Sequence, residues 1–298
     1  MVAIIKDMKW MILGGNGQLG RTMTMKLASD NVAFISLNRN QFDITNFKDV
    51  EKWFLKESPD VVFNAAAWTN VDSAESNEEK ALLVNACGPD FLAQACRKHG
   101  AKLVQISTDY VFSGISTSPW NETAEISPVS AYGRTKAKGE LFVLGGYPDG
   151  SYIVRTAWLY SPWGNNFAKT ILNFALNETG NIKVVNDQIG QPTSAFDLVK
   201  QIQELVHSNS PPGIYHGTNS GQASWYDFAS EIFRLVGENQ ERVLKVDSSF
   251  SQRPAKRPSY SVLGHDRWMN VGINPMRNWR EALEDALPEI LNVIWREE

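Results

Sequence analysis

The stretch Lys9-Trp10-Met11-Ile12-Leu13-Gly14-Gly15-Asn16-Gly17-Gln18-Leu19-Gly20 decides the fold. Residues 9–13 are short, apolar and run into glycines, which suits a buried parallel strand. A helical pattern follows over residues 17–28. Between them Gly14, Gly17 and Gly20 satisfy G-x-x-G-x-x-G, and Gly15, Gly17 and Gly20 satisfy G-x-G-x-x-G. The first glycine permits a tight turn. The second lets backbone approach a pyrophosphate, whose charge a helix N-terminus stabilises, and the third lets helix and strand pack closely. Strand, loop and helix stand in the required order, so the loop reads as dinucleotide-binding rather than as a flexible turn.

Outward from this loop the chain keeps a βα rhythm. Strands are expected at 32–37, 61–63, 103–107 and 152–155. Helices are expected at 47–56, 77–99 (with a break near Gly88-Pro89) and 130–144. Repeated βα units imply an α/β fold, a Rossmann-type doubly wound parallel sheet with right-handed crossovers. After Arg155 the rhythm loosens. Helices are expected at 167–176, 196–206, 226–236 and 280–287, with short strands at 182–185 and 213–216. This predicts a cofactor-binding domain over 8–160, with part of 190–220 returning to it, and a mainly substrate-binding, discontinuous α/β lobe over 161–298.

Composition narrows the functional class. The 298 residues are 43% hydrophobic and 21% charged, enough apolar content for a self-supporting core and too much for disorder. A net charge of -4 argues against a nucleic-acid partner, which needs a basic footprint. No run reaches the ~18 apolar residues of a membrane span, so no membrane partner is expected. The first seven residues lack the apolar core and cleavage site of a signal peptide and read as a short extension. Cys87 and Cys96, nine residues apart on one helix, point to opposite faces and cannot pair. Together these features suit a reducing, cytoplasmic compartment.

Two further features carry chemistry. Tyr132-Gly133-Arg134-Thr135-Lys136 puts Tyr132 and Lys136 on one helix face. A tyrosine has a pKa of ~10, and a nearby ammonium favours its phenolate. Lys136 can also hold the nicotinamide ribose. At the end of the fourth strand stands Ser107-Thr108-Asp109-Tyr110, where a hydroxyl can bond a substrate carbonyl and share its developing charge. Cofactor choice turns on the end of the second strand. No carboxylate stands there to bond a ribose 2′-hydroxyl; Arg39 does, and it can meet a 2′-phosphate. This favours NADPH, with NADH as the alternative.

Together these motifs resemble those of extended short-chain dehydrogenases/reductases, and more closely those of the dTDP-4-dehydrorhamnose reductase family. The blocks that carry the resemblance are Gly17-Gln18-Leu19-Gly20, the run from Asn64 to Asp72 (NAAAWTNVD), and the run from Ser107 to Gly114 (STDYVFSG). Arg155-Thr156-Ala157-Trp158-Leu159-Tyr160, Asn165-Asn166-Phe167 and the run from Asp187 to Thr193 (DQIGQPT) follow. Gly213-Ile214-Tyr215-His216, the run from Ser224 to Ala229 (SWYDFA) and Arg257-Pro258 complete the set, in the family's order.

The resemblance implies reduction of the C4 ketone of dTDP-4-dehydro-L-rhamnose, with a nucleotide sugar as the partner molecule. It implies Tyr132 as proton donor, Lys136 as its electrostatic partner and Thr108 as the group that polarises the carbonyl. Asp109 and Trp158 match the sugar site. Asn16, Gln18 and Leu19 match contacts of the cofactor loop, Asp43 and Ile44 match the adenine side, and Ala66, Ala67, Trp68 and Thr69 match a loop that crosses the cofactor. Arg257, in a basic cluster with Arg253 and Lys256, is a candidate clamp for the substrate diphosphate.

The chain departs from the family pattern at Trp68, often His or Tyr there, and at Asn70, often Ala. A family metal site that bridges a homodimer uses carboxylates near the segment that here reads Ser194-Ala195-Phe196-Asp197. No full ligand set can be assembled from the sequence, so no metal ligand is assigned, and Mg²⁺ and the homodimer stay open. Related alternatives are a reductase of another nucleotide 4-keto-deoxysugar, and an NADP-binding regulatory subunit like the beta subunit of methionine adenosyltransferase. Of the 10 tryptophans, Trp68 and Trp158 are tied to the cleft, Trp225 falls in a second-lobe motif, and packing is expected for the rest.

Overall fold

The computed structural model describes residues 8–250 and 252–297, so the extension expected over residues 1–7 lies outside the described residues. The chain opens with β1 (Trp10–Leu13), α1 (Gln18–Ser29), β2 (Phe34–Leu37), α2 (Phe47–Glu57) and β3 (Val61–Asn64). Next come α3 (Val71–Glu75), α4 (Glu78–Leu82), α5 (Gly88–His99), β4 (Lys102–Thr108), α6 (Ala131–Gly146) and β5 (Ser151–Thr156). β10 (Gly213–His216) completes a six-stranded, all-parallel sheet in the order β10-β5-β4-β3-β1-β2. The strands are almost continuously apolar because both faces are covered. On one face α1 and α8 (Ala195–His207) pack with Trp268, Ile273 and Met276; on the other lie α2, α5 and α6.

Local chemistry sets the ends of these helices. Asn46 starts α2 by accepting from the Lys48 amide, and Ser130 starts α6 by accepting from the Gly133 amide at 3.1 Å. Gly100 ends α5 in the left-handed conformation that glycine adopts freely.

The expected break at Gly88-Pro89 does not occur. A π-helical turn at Leu83–Cys87 joins α4 to α5 without interruption, and the chain absorbs Pro89 in the first turn after it. Both cysteines are free thiols on this helix.

A second core forms from α7 (Phe167–Asn177), α9 (Trp225–Leu235) and α11 (Trp279–Glu297), with the parallel pair β7 (Ile182–Val185) and β12 (Val243–Val246). Short pairs tie this region back to the sheet: β6 (Leu159–Tyr160) with β9 (Thr193–Ser194), and β8 (Ile189–Gly190) with β11 (Ala223–Ser224). The segment α10 (Asp266–Asn270) lies beside β10 and buries Trp268.

The last helix is longer than its pattern suggested. Pro288 removes one backbone donor inside it, yet Leu287, Ile290 and Ile294 remain buried on the far side and carry the helix through. No helix among the described residues is long and apolar enough to cross a membrane.

Candidate active site

The cleft that the fold creates lies at the carboxyl edge of the sheet, where strand order reverses between β1 and β3. That reversal is where open α/β sheets receive ligands. Its volume is about 770 Å³, enough for a large ligand.

The glycine loop forms its floor. Gly14 has φ +77°, and a Cβ there would lie 2.8 Å from the Ala66 amide nitrogen. This is the tight turn expected of it. Gly14, Asn16, Gly17, Gln18 and Leu19 line the cleft. Gly20 does not: a Cβ on it would stand 2.2 Å from the Gly14 carbonyl oxygen, so it serves the contact of helix with loop. Gln18 reaches the other way as well. Its Oε1 accepts from Ser161 Oγ at 3.1 Å and Asn166 Nδ2 at 3.0 Å, which ties the loop of residues 161–166 to the start of α1.

Arg39, Asp43 and Ile44 lie together at one end of the cleft. Arg39 is exposed; Asp43 is ordered by accepting from the amide and hydroxyl of Thr45 at 2.9 and 2.7 Å. Ala66, Ala67, Trp68 and Thr69 line the cleft from the turn after β3.

Asn85 fixes this turn, and the sequence reading missed it. Its Oδ1 accepts from the Trp68 amide at 2.8 Å, and its Nδ2 donates to Trp68 O at 3.2 Å and Thr135 Oγ1 at 3.1 Å. Asn85 is buried and sits in the π-helical turn, so the irregular helix aims it. An asparagine amid apolar helix residues was its only signal.

The remaining candidates meet on one wall. Thr108 ends β4, and its hydroxyl donates to Asp109 Oδ1 at 2.9 Å while accepting from the Tyr110 amide at 3.2 Å. Tyr132, at the start of α6, packs edge-on against Tyr110 with ring centres 5.6 Å apart. One turn on, Lys136 Nζ donates to Ile106 O at 2.6 Å.

Burial dominates the electrostatics. It pushes the Tyr132 phenol up to about 12, against the pull of the Thr108 hydroxyl and with the Asp109 carboxylate adding to the rise. It raises Asp109 to about 6, opposed by the hydroxyls of Ser261 and Thr108. It lowers Lys136 to about 8, with the Glu140 carboxylate resisting. Lys136 donates here to a backbone carbonyl, and burial is the largest influence on the phenol.

Beneath this wall Glu140 and Arg155, both buried, form a bidentate pair at 2.9 and 2.7 Å, and Arg155 Nη1 lies 3.4 Å from His216 Nε2. Burial and the Arg155 charge hold His216 well below its usual range, so it is a neutral structural residue.

Trp158 also lines the cleft, beside Trp225. Arg257 is not among the lining residues. Its guanidinium donates to Asp72 Oδ2 at 2.9 Å and to Ala255 O at 3.0 Å. The segment considered for a metal is also committed: Asp197 accepts from Arg277 at 2.9 and 3.1 Å and from Asn219 at 2.8 Å. Among the described residues of this chain no group of three His, Cys, Asp or Glu side chains is placed to hold a metal ion.

Residues 8–292 match the family model described as the RmlD substrate binding domain. The dTDP-4-keto-6-deoxy-D-glucose reductase of Streptomyces niveus is 43% identical over 281 residues, covering 94% of this chain and 96% of that one. The dTDP-4-dehydrorhamnose reductase of Streptomyces griseus is also 43% identical, over 286 residues, covering 95% and 94%. The crystal structure of the dTDP-4-dehydrorhamnose reductase of Bacillus anthracis in complex with NADP superposes with a TM-score of 0.90 at 37% identity, covering 95% of this chain and 99% of that chain.

Proposed function

Because the chain belongs to the RmlD substrate-binding-domain family, we infer that it carries out the last step of dTDP-L-rhamnose formation, reducing dTDP-4-dehydro-L-rhamnose with NADPH. The chain is an NAD(P)H-dependent oxidoreductase that reduces the ketone of a dTDP-4-keto-6-deoxysugar. The observation that carries the finer reading is the meeting of Thr108, Tyr132 and Lys136 on one wall of the cleft whose floor is the glycine loop.

In this reading Gly14, Gly17 and the start of α1 receive the cofactor pyrophosphate. Ala66 to Thr69 cross the cofactor, Asp43 and Ile44 take the adenine side, and Arg39 meets the 2′-phosphate. When bound, the nicotinamide supplies a hydride to C4 of the sugar. Thr108 turns its hydroxyl from Asp109 to the ketone oxygen and draws charge onto it. Tyr132, held neutral by burial, has a proton to give to that oxygen. The buried Lys136 ammonium then stabilises the phenolate left behind. The ketone becomes an alcohol, with one hydride and one proton added. Asp109 and Trp158 hold the sugar.

For Arg257 to clamp the diphosphate it would have to leave Asp72, which makes it the weakest of the assigned contacts. A division of labour follows, with residues 8–160 and part of 190–220 serving the cofactor and 161–298 mainly the sugar. Two free thiols support a cytoplasmic setting.

The test is NADPH oxidation with dTDP-4-dehydro-L-rhamnose made in situ from dTDP-glucose. Turnover with NADPH, and slower turnover with NADH, supports the reading. A wild type that binds NADPH but oxidises none of it would instead indicate a cofactor-binding regulatory subunit.

A further inference from the structure

Trp225 lines the cleft although no chemistry in its motif ties it there. Its indole lies flat on that of Trp158, with ring centres 3.6 Å apart and planes 8° apart. Phe167 closes on Trp225 with its centre 4.6 Å away.

The two tryptophans reach this stack from different parts of the fold. Trp158 follows β5 of the large sheet, and Trp225 is the first residue of α9 in the second core. Each is fixed at its backbone. A reciprocal cap holds the start of α9: Ser224 Oγ accepts from the Asp227 amide at 3.0 Å, and Asp227 Oδ2 accepts from the Ser224 amide at 2.9 Å. Trp158 sits at φ +44°, a left-handed conformation that is costly for a bulky side chain and persists only where its surroundings enforce it. Its carbonyl accepts from the Thr193 amide at 3.1 Å. Its ring lies along Gly190, where a Cβ would come within 2.6 Å of the indole. Strained backbone, bare glycine and stacked partner together hold one indole orientation.

Such a wall has a definite chemical preference. The apolar aromatic surface that the pair adds to the cleft takes C–H groups well, but a hydroxyl laid against it gives up water and gains no partner. We infer that Trp225 is a specificity-determining residue: stacked with Trp158, it forms an aromatic wall that accepts the methyl edge of a 6-deoxysugar nucleotide and disfavours the same sugar with a 6-hydroxymethyl group. The inference rests on the nucleotide-sugar reading above and adds the feature of the sugar that is read.

Competitive inhibition by dTDP-L-rhamnose and dTDP-L-mannose, which differ only at C6, tests it. For the wild type the rhamnose compound should bind roughly tenfold more tightly, the scale at which an apolar site discriminates small groups. Trp225→Ala should bring the two inhibition constants to within about twofold, the selectivity that such a site otherwise supplies being lost. It should also raise KM for the keto sugar while leaving the NADPH Kd unchanged. Loss of the far-ultraviolet circular dichroism couplet of paired indoles reports that the stack is gone. If Trp225→Ala fails to fold, Trp225→Phe keeps a shorter wall and should give an intermediate preference. An unchanged inhibition ratio in either folded variant would overturn the inference. A wild type that shows the C6 preference but turns over no keto sugar would sink the reductase reading and leave the aromatic wall standing.

Discussion

The two sides of the cleft are built by different means. On the sheet side, the glycine loop follows β1, the Ala66–Thr69 turn follows β3, Thr108 ends β4 and Tyr132 opens α6. Each is a short segment whose place follows from parallel strands ending at one edge. On the other side, Trp158, Trp225 and the loop of residues 161–166 come from elements tied together only by tertiary contacts. The sheet edge places its cleft residues through local motifs, whereas the Trp158–Trp225 stack depends on how a second core docks.

If the sheet side does the chemistry, its variants should lose turnover and keep ligand affinity. Tyr132→Phe should lower kcat by about 10²–10⁴-fold, the usual worth of a positioned proton donor. Its NADPH Kd, measured by fluorescence titration, should not move. A loss below tenfold would erase the contrast between the two sides.

The support under that side is an ion pair with no water around it. Glu140→Ala leaves the Arg155 guanidinium buried and unpaired, so denaturant unfolding should show a loss of about 3–5 kcal/mol. The exposed pair Arg134–Glu78, which joins the same helix to α4, should cost no more than about 1 kcal/mol on Arg134→Ala. Equal losses would mean that burial does not set the difference.

The pH profile sharpens the comparison further. Lys136 is held near 8, and its charge is lost as pH rises through that value. The phenol of Tyr132 stays protonated well above it. The kcat/KM profile should therefore fall on the alkaline side near pH 8, and Lys136→Arg should move that fall upward. A profile flat to pH 10 would remove Lys136 from the chemistry. The smallest effect belongs to the rim. Arg39→Ala should raise KM for NADPH roughly tenfold, the size of a single charge-assisted contact, and leave NADH unchanged. Equal loss with both cofactors would end the 2′-phosphate assignment.

Much of the sheet side was legible in the chain. Apolar strands ending in Gly14, Thr108 and the βα rhythm between them define a parallel sheet and its working edge. The helix through Gly88-Pro89 was not legible, because a π-helical turn absorbs what local propensity reads as a break. Nor was the run of α11 past Pro288, which tertiary burial of Ile290 and Ile294 sustains. Asn85 and Trp225 escaped for the same reason: each acts through partners far along the chain, Trp68 and Trp158 respectively. Packing was expected for most tryptophans. Trp10, Trp268 and Trp279 are fully buried, while Trp295 remains 60% exposed.

The configuration of the product at C4 tests the functional reading most directly. Proton NMR of the sugar nucleotide formed from dTDP-4-dehydro-L-rhamnose and NADPH should show dTDP-L-rhamnose alone. The C4 epimer, or unreacted ketone in the presence of bound NADPH, would contradict it.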